Sequence, residues 1–181
     1  MRQMFDRCES LTELNISHFD TSNVTDFAGM FEFCSSLTKL DLSNFNVSNA
    51  FRTLSMFKGC KSLKKIDLTG WNTKKVKDMC LMFSGCESLE ELDLSDFYYT
   101  YSVLDIGGMF NRCKSLKKLD LSNFAGANIQ TIEDAFSNCE NLKILNLSGW
   151  RPFTFKKFNK GKFKDLTIIW NKNHIERIND E

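Results

Sequence analysis

The sequence predicts an α/β solenoid, a stack of similar coils that each give one strand to a parallel sheet and one short helix to the other side. Three observations predict it. Cysteines recur at a nearly constant step, a Met-Phe pair keeps the same step, and apolar periodicity changes from helical to extended within each copy.

The step comes first. Cysteines stand at Cys8, Cys34, Cys60, Cys86, Cys113 and Cys139, separated by 26, 26, 26, 27 and 26 residues. Met-Phe recurs at 4–5, 30–31, 56–57, 82–83 and 109–110, then as Ala135-Phe136. Leu-Asp-Leu-Ser at 40–43, 92–95 and 119–122 returns as Leu-Asn-Ile-Ser at 14–17, Ile-Asp-Leu-Thr at 66–69 and Leu-Asn-Leu-Ser at 145–148. Phe19, Phe45, Trp71, Phe97, Phe124 and Trp150 close these blocks. A period of this size marks a repeat array.

The elements of one copy follow in order. Met30, Phe31, Cys34 and Leu37 fall at helical spacing and predict about two turns of helix. Leu40 and Leu42 alternate with Lys39 and Asp41, which predicts a strand with one face inward. Asn44 and its counterparts His18, Gly70, Asp96, Asn123 and Gly149 tolerate left-handed dihedrals, so the chain should reverse there. Val24 and Phe27, matched by Val76 and Met79, give a second inward segment. One copy cannot bury its apolar stripe, but stacked copies can.

Leu-x-x-Leu-x-Leu at 37–42, 89–94 and 116–121, and with Ile66 at 63–68, is the strand half of the leucine-rich repeat pattern. The longer string Met-Phe-x-x-Cys-x-Ser-Leu-x-x-Leu-Asp-Leu-Ser-x-Phe at 82–97 and 109–124, with Asp-Thr-Ser-Asn-Val-Thr at 20–25, resembles the BspA-like leucine-rich repeat family. The resemblance covers residues 4–150. It departs from ordinary leucine-rich repeats where Phe or Trp replaces the buried Asn or Cys. The resemblance implies a right-handed leucine-rich-repeat solenoid without enzymatic activity. It also implies a cell-surface or secreted protein engaged in adhesion and protein binding, with host or extracellular-matrix proteins as the class of ligand.

Three segments are expected: six copies over 1–150, a C-terminal cap with a final strand over 151–173, and a frayed tail over 174–181. The cap carries Arg151, Lys156, Lys157, Lys160, Lys162, Lys164 and Lys172, interleaved with Phe153, Phe155, Phe158 and Phe163. Capping is its structural reading, and a basic aromatic surface for single-stranded nucleic acid is the alternative. Without a nucleic-acid motif, capping is favoured. An uncapped first coil would expose apolar surface, so further stacked repeats or end-to-end self-association is a second expected partner mode.

Composition excludes several classes. Twenty-four Lys and Arg balance 23 Asp and Glu, so no global charge draws the chain to nucleic acid or an anionic membrane. No apolar run is long enough for a membrane span, and residues 1–15 lack the apolar stretch of a signal peptide. Only His18 and His174 are present, too few for a His-rich metal site, and no acid–base group recurs for catalysis. No cofactor is expected.

Matching columns suggest where contacts form. Lys61, Glu87 and Lys114, then Lys64, Glu90 and Lys117, then Lys65, Glu91 and Lys118 should form complementary ladders. Residues 56–81 carry seven Lys and two Asp, whereas 82–108 carry six acids and no base. Asp41, Asp67, Asp93 and Asp120 form a like-charged column ended by Asn15 and Asn146. Turn donors, with the hydroxyls of Ser17, Ser43, Thr69, Ser95, Ser122 and Ser148, are expected to compensate it in preference to calcium. The recurring cysteines should be free and buried, with Cys80 the more accessible thiol. Sequons at Asn15, Asn23, Asn46 and Asn146 carry little weight. The one 27-residue copy holds Tyr98, Tyr99 and Tyr101, whose rings suit partner contact. Tyr98, Tyr99, Tyr101, Asp67, Asp93 and Asp120 are therefore the candidate partner-binding residues.

Overall fold

The computed structural model describes residues 1–97, 100–125, 127–150, 163 and 165–178. Residues one repeat apart lie opposite each other. Strand β1 (Lys39–Asp41) pairs in parallel with β2 (Lys65–Asp67), Leu40 facing Ile66. Strands β3 (Lys118–Asp120) and β4 (Ile144–Asn146) repeat the arrangement, and β5 (Leu166–Asn171) joins β4. Elsewhere on the coil a second parallel column runs through single bridges from Asp26 to Arg52, Asp78, Asp105 and Thr131.

The helix expected in every copy does not form. Among the described residues the only helical pieces are single 3₁₀ turns at Thr100–Ser102 and Ser122–Phe124. Residues 27–34 instead make overlapping β-turns. Met30, Glu32 and Cys34 donate N–H to the carbonyls of Phe27, Gly29 and Phe31, each at 3.1 Å. The intervening amides of Phe27, Gly29, Phe31 and Phe33 donate to Arg52, Leu54, Met56 and Lys58 of the next coil, at 3.0, 2.9, 2.9 and 2.7 Å. Gly29 and Phe33 hold φ of +62° and +59°, at the third turn position where such values are required. Ser55 with Gly59, and Leu81 with Gly85, repeat the pair at +55°, +74°, +57° and +76°. Left-handed residues at this interval stop an α-helix and turn alternate amides towards the neighbouring coil. Helical spacing of the apolar residues was therefore a misleading signal, because the turns also bury Met30, Phe31, Cys34 and Leu37 completely.

Nor is the parallel sheet continuous. It divides into β1-β2 and β3-β4-β5, and Glu91-Leu92-Asp93 of the fourth copy joins neither. The repeat step places Glu91 in the column of Lys65 and Lys118 and Asp93 in that of Asp67 and Asp120, yet the segment pairs with neither neighbour. Leu92 is correspondingly half-buried, whereas Leu40 and Leu119 are 3% and 1% exposed. The molecule is thus two small sheets joined by turn-rich coils, not a leucine-rich-repeat solenoid with a helix per copy.

Stacked rings form the core. Phe5, Phe31, Phe57, Phe83, Phe110 and Phe136 lie face to face with successive centroids 5.5, 5.7, 5.4, 5.8 and 5.8 Å apart. Each following cysteine thiol donates to a phenylalanine carbonyl one coil back: Cys34 to Phe5, Cys60 to Phe31, Cys86 to Phe57, Cys113 to Phe83 and Cys139 to Phe110, at 3.0–3.2 Å. Trp71 and Trp150 donate their indole N–H to Leu42 and Leu121 at 3.1 and 2.7 Å. These buried thiols and indoles are therefore satisfied between coils, which locks the register.

At the C-terminal end, residues 174–178 do not fray. They fold back as β6 (His174–Ile178), antiparallel to β5. Most of the expected cap, 151–162 and Lys164, lies outside the described residues, as does 179–181. Phe163 is buried in the core.

Candidate interaction face

The strands β1 to β4 end in the same local device. Oδ1 of Asp41 accepts the Ser43 N–H at 2.9 Å and the Ser43 hydroxyl at 2.7 Å. Asp67, Asp93 and Asp120 accept the N–H of Thr69, Ser95 and Ser122 at 3.0, 2.8 and 2.9 Å. Asn15 and Asn146 hold Ser17 and Ser148 in the same way. These Asx turns end β1 to β4 after three residues each. They recur at two further corners, where Asp20, Asn46 and Asn72 hold Ser22, Ser48 and Lys74, and Asp26, Asp78 and Asp105 hold Ala28, Cys80 and Gly107.

The acid column is thus compensated from within its own turns. Hydroxyl and amide bonds from Thr69 hold Asp67 below the usual carboxylate range, and amide and hydroxyl bonds from Ser95 do so for Asp93. For Asp120 burial pulls upwards, but bonds from Ser122 and Asn146 outweigh it. The Asn146 amide reaches Asp120 Oδ2 at 2.9 Å, so Asn at the end of the column donates where another Asp would repel. Among the described residues no group of three His, Cys, Asp or Glu is arranged to hold a metal ion.

The charged ladders form on one side only. Lys114 meets Glu87 at 2.8 Å and Lys117 meets Glu90 at 3.5 Å. Lys61, Lys64 and Lys65, expected on the other side of the acidic copy, make no ion pair within 4.0 Å among the described residues. Lys65 and Lys118 both stand exposed on the outward strand face.

Shallow grooves follow this face. One is lined by Glu13, Leu14, Lys39, Asp41, Lys65 and Asp67. Another lies between Glu90, Glu91, Asp93, Lys117, Lys118 and Asp120. Two smaller ones flank Asp93 and Ser95. Asp67, Asp93 and Asp120 therefore share one grooved surface, whereas Tyr101 lies apart in the 3₁₀ turn, 63% exposed. Thr100 ties that turn to the Asn123 carbonyl at 2.8 Å. Tyr98 and Tyr99 lie outside the described residues. From sequence, Lys65, Glu91 and Lys118 were expected only as a complementary ladder and not as partner-binding residues, although the full column reads Glu13, Lys39, Lys65, Glu91, Lys118, Ile144 once aligned.

The thiols offer no reactive group in the core. All seven cysteines are free, and Cys8, rather than Cys80, is the exposed one. Burial pushes Cys34 up to about 11 and Cys139 up to about 12. Half-buried Cys80 is raised to about 11 by burial and by Asp105 and Asp78. Protonated thiols of this kind are poor nucleophiles and good donors to the carbonyls they face. Among the described residues no helix is long and apolar enough to cross a membrane.

The profile of DUF285, described as a Mycoplasma protein of unknown function, matches residues 1–97 and 55–168. No curated protein matches the chain. The overlapping matches together span most of the sequence, and the chain belongs to the DUF285 family.

Proposed function

We propose that this chain is a non-catalytic, protein-binding repeat module of a cell-surface or secreted protein, acting in adhesion. The observation that carries the reading is the grooved outward strand face, where Lys39, Lys65, Lys117 and Lys118 alternate with the Asp column. Its acids are already committed to turns and its lysines project beside them, so a partner meets fixed carboxylates and movable ammonium groups. Mixed charge of this kind favours a protein surface over a polyanion. The resemblance to BspA-like repeats supports the same reading. Among the described residues, thiols buried against carbonyls and acids committed to turns leave no recurring acid–base pair to perform chemistry.

Surface binding of purified host and extracellular-matrix proteins tests the proposal, with Lys65→Glu/Lys118→Glu as the face variant and Lys74→Glu as the control. The face variant should lose at least about tenfold in affinity, or about 1.4 kcal/mol, while the control retains it. Equal binding by all three, or none by the native chain, would refute it.

A further inference from the structure

The outward face of the larger sheet changes character along its length. β3 presents Lys118 and Asp120. The register then sets Ile144 beside Thr167 and Arg177, and Asn146 beside Ile169 and Ile175. Ile144 is 36% exposed and Ile175 is 57% exposed, in positions where the other coils carry charge. β6 is the edge strand, and among the described residues it pairs only with β5. An unpaired edge flanked by exposed isoleucines is a template for another strand.

The residues of β6 select which strand. An antiparallel partner must match outward residues with outward ones. When β6 pairs with a second β6, registers centred on Ile175, Glu176 or Arg177 meet that rule. Centring on Glu176 or Arg177 sets like charges directly opposite each other, which destabilises the pair. Centring on Ile175 sets Ile175 against itself, His174 against Glu176, and Arg177 against Asn173. The row Ile169–Ile175 then continues into Ile175–Ile169 of the second copy. Glu176 is held on the inward side, where its Oε2 accepts the Trp170 indole N–H at 3.3 Å, and His174 lies 6.2 Å from the Trp170 ring. The edge is therefore already ordered before any partner arrives, which lowers the entropy cost of pairing.

We infer that the outer edge of β6 is a self-association surface, where a second copy of this chain docks antiparallel through Ile175 and makes the two sheets one. The surface lies away from the lysine-rich grooves, so a dimer would present two of them.

Light scattering of the full chain over a concentration series, under reducing conditions, tests this. The native chain should pass reversibly from monomer to dimer, and Ile175→Lys should weaken dimerisation by at least about tenfold. In a Cys8→Ser background, Ile175→Cys should form an interchain disulfide on mild oxidation, and Arg177→Cys should not, because register separates the two copies of residue 177. Cross-linking does not depend on the lysine variant folding. A native chain that stays monomeric, a dimer indifferent to Ile175→Lys, or stronger cross-linking at 177 than at 175 would overturn the inference.

Discussion

The first coil and the third carry Met-Phe-x-x-Cys in the same columns and differ in the neighbours of those residues. Met56, Phe57 and Cys60 are wholly buried, with Phe57 sandwiched between Phe31 and Phe83. Met4 is 51% exposed, Phe5 is half-buried with Phe31 on one face, and Cys8 is exposed. Asp6 even keeps a buried carboxylate oxygen without a hydrogen-bond partner, a fault absent from the other described coils. Burial here is conferred by the adjacent coil, not by the residue. Stability should therefore be distributed unevenly over chemically equal positions.

The largest effect should come from the ring stack. Phe57→Ala opens a cavity between the rings of two adjacent coils and should cost about 3–5 kcal/mol, whereas Phe5→Ala, half-buried and packed against the ring of one adjacent coil, should cost about half that. Urea unfolding of both variants measures the difference. Equal costs would break the comparison and show that the first coil is as well packed as the third.

How much of this could be read beforehand depends on the residue. Columns at a step of 26 or 27 were legible because Cys, Met-Phe and Leu-Asp-Leu-Ser mark them independently, and the strand registers pair those same positions. The turn in place of a helix was less legible. Gly29, Gly59, Gly85 and Gly108 hinted at it, but Phe33, Leu81, Arg112 and Asp134 also take positive φ, which their side chains do not advertise. Gly59 shows why one copy needs glycine: a Cβ there would stand 2.4 Å from the Phe33 ring. The Asp column and its hydroxyl neighbours were legible as a compensated row, since Asp-x-Ser is the pattern of an Asx turn. The divided sheet was not, because pairing the ladders by charge assumed that strand pairing continued through Glu91. Ile175 was hidden by a tail whose polar sequence suggested fraying.

An intermediate effect should come from the thiols. Cys86→Ala removes a buried donor to the Phe57 carbonyl and leaves a small void, a loss of about 1–2 kcal/mol. Cys8→Ala should change stability by less than about 0.5 kcal/mol, since the same side chain faces solvent. Cys86→Ser separates the two contributions, because a hydroxyl can still donate to that carbonyl. Melting temperatures of the three variants rank them, and a Cys8→Ala loss equal to that of Cys86→Ala would contradict neighbour-conferred burial.

The smallest effect sharpens the contrast between interior coils, which carry Asp in the turn column, and Asn15 and Asn146 at its ends. Folding lowers the pKa of Asp67, Asp93 and Asp120, so these groups contribute stability above the ordinary carboxylate value of about 3.9, lost as pH falls through their folded values. Asp78 works in the opposite direction. Burial raises its pKa against the Cys80 amide bond, helped by Asp105 and Asp26, so protonating it favours the folded chain as acid is added. Asp67→Asn/Asp93→Asn keeps the acceptor that Asn15 and Asn146 already supply, and removes the titration. Its melting temperature should therefore fall less than that of the native chain between about pH 5 and pH 3, while Asp78→Asn should make the fall steeper. Parallel acid profiles in all three proteins would mean that the Asx turns, although present, do not distinguish the charged acceptor from the neutral one.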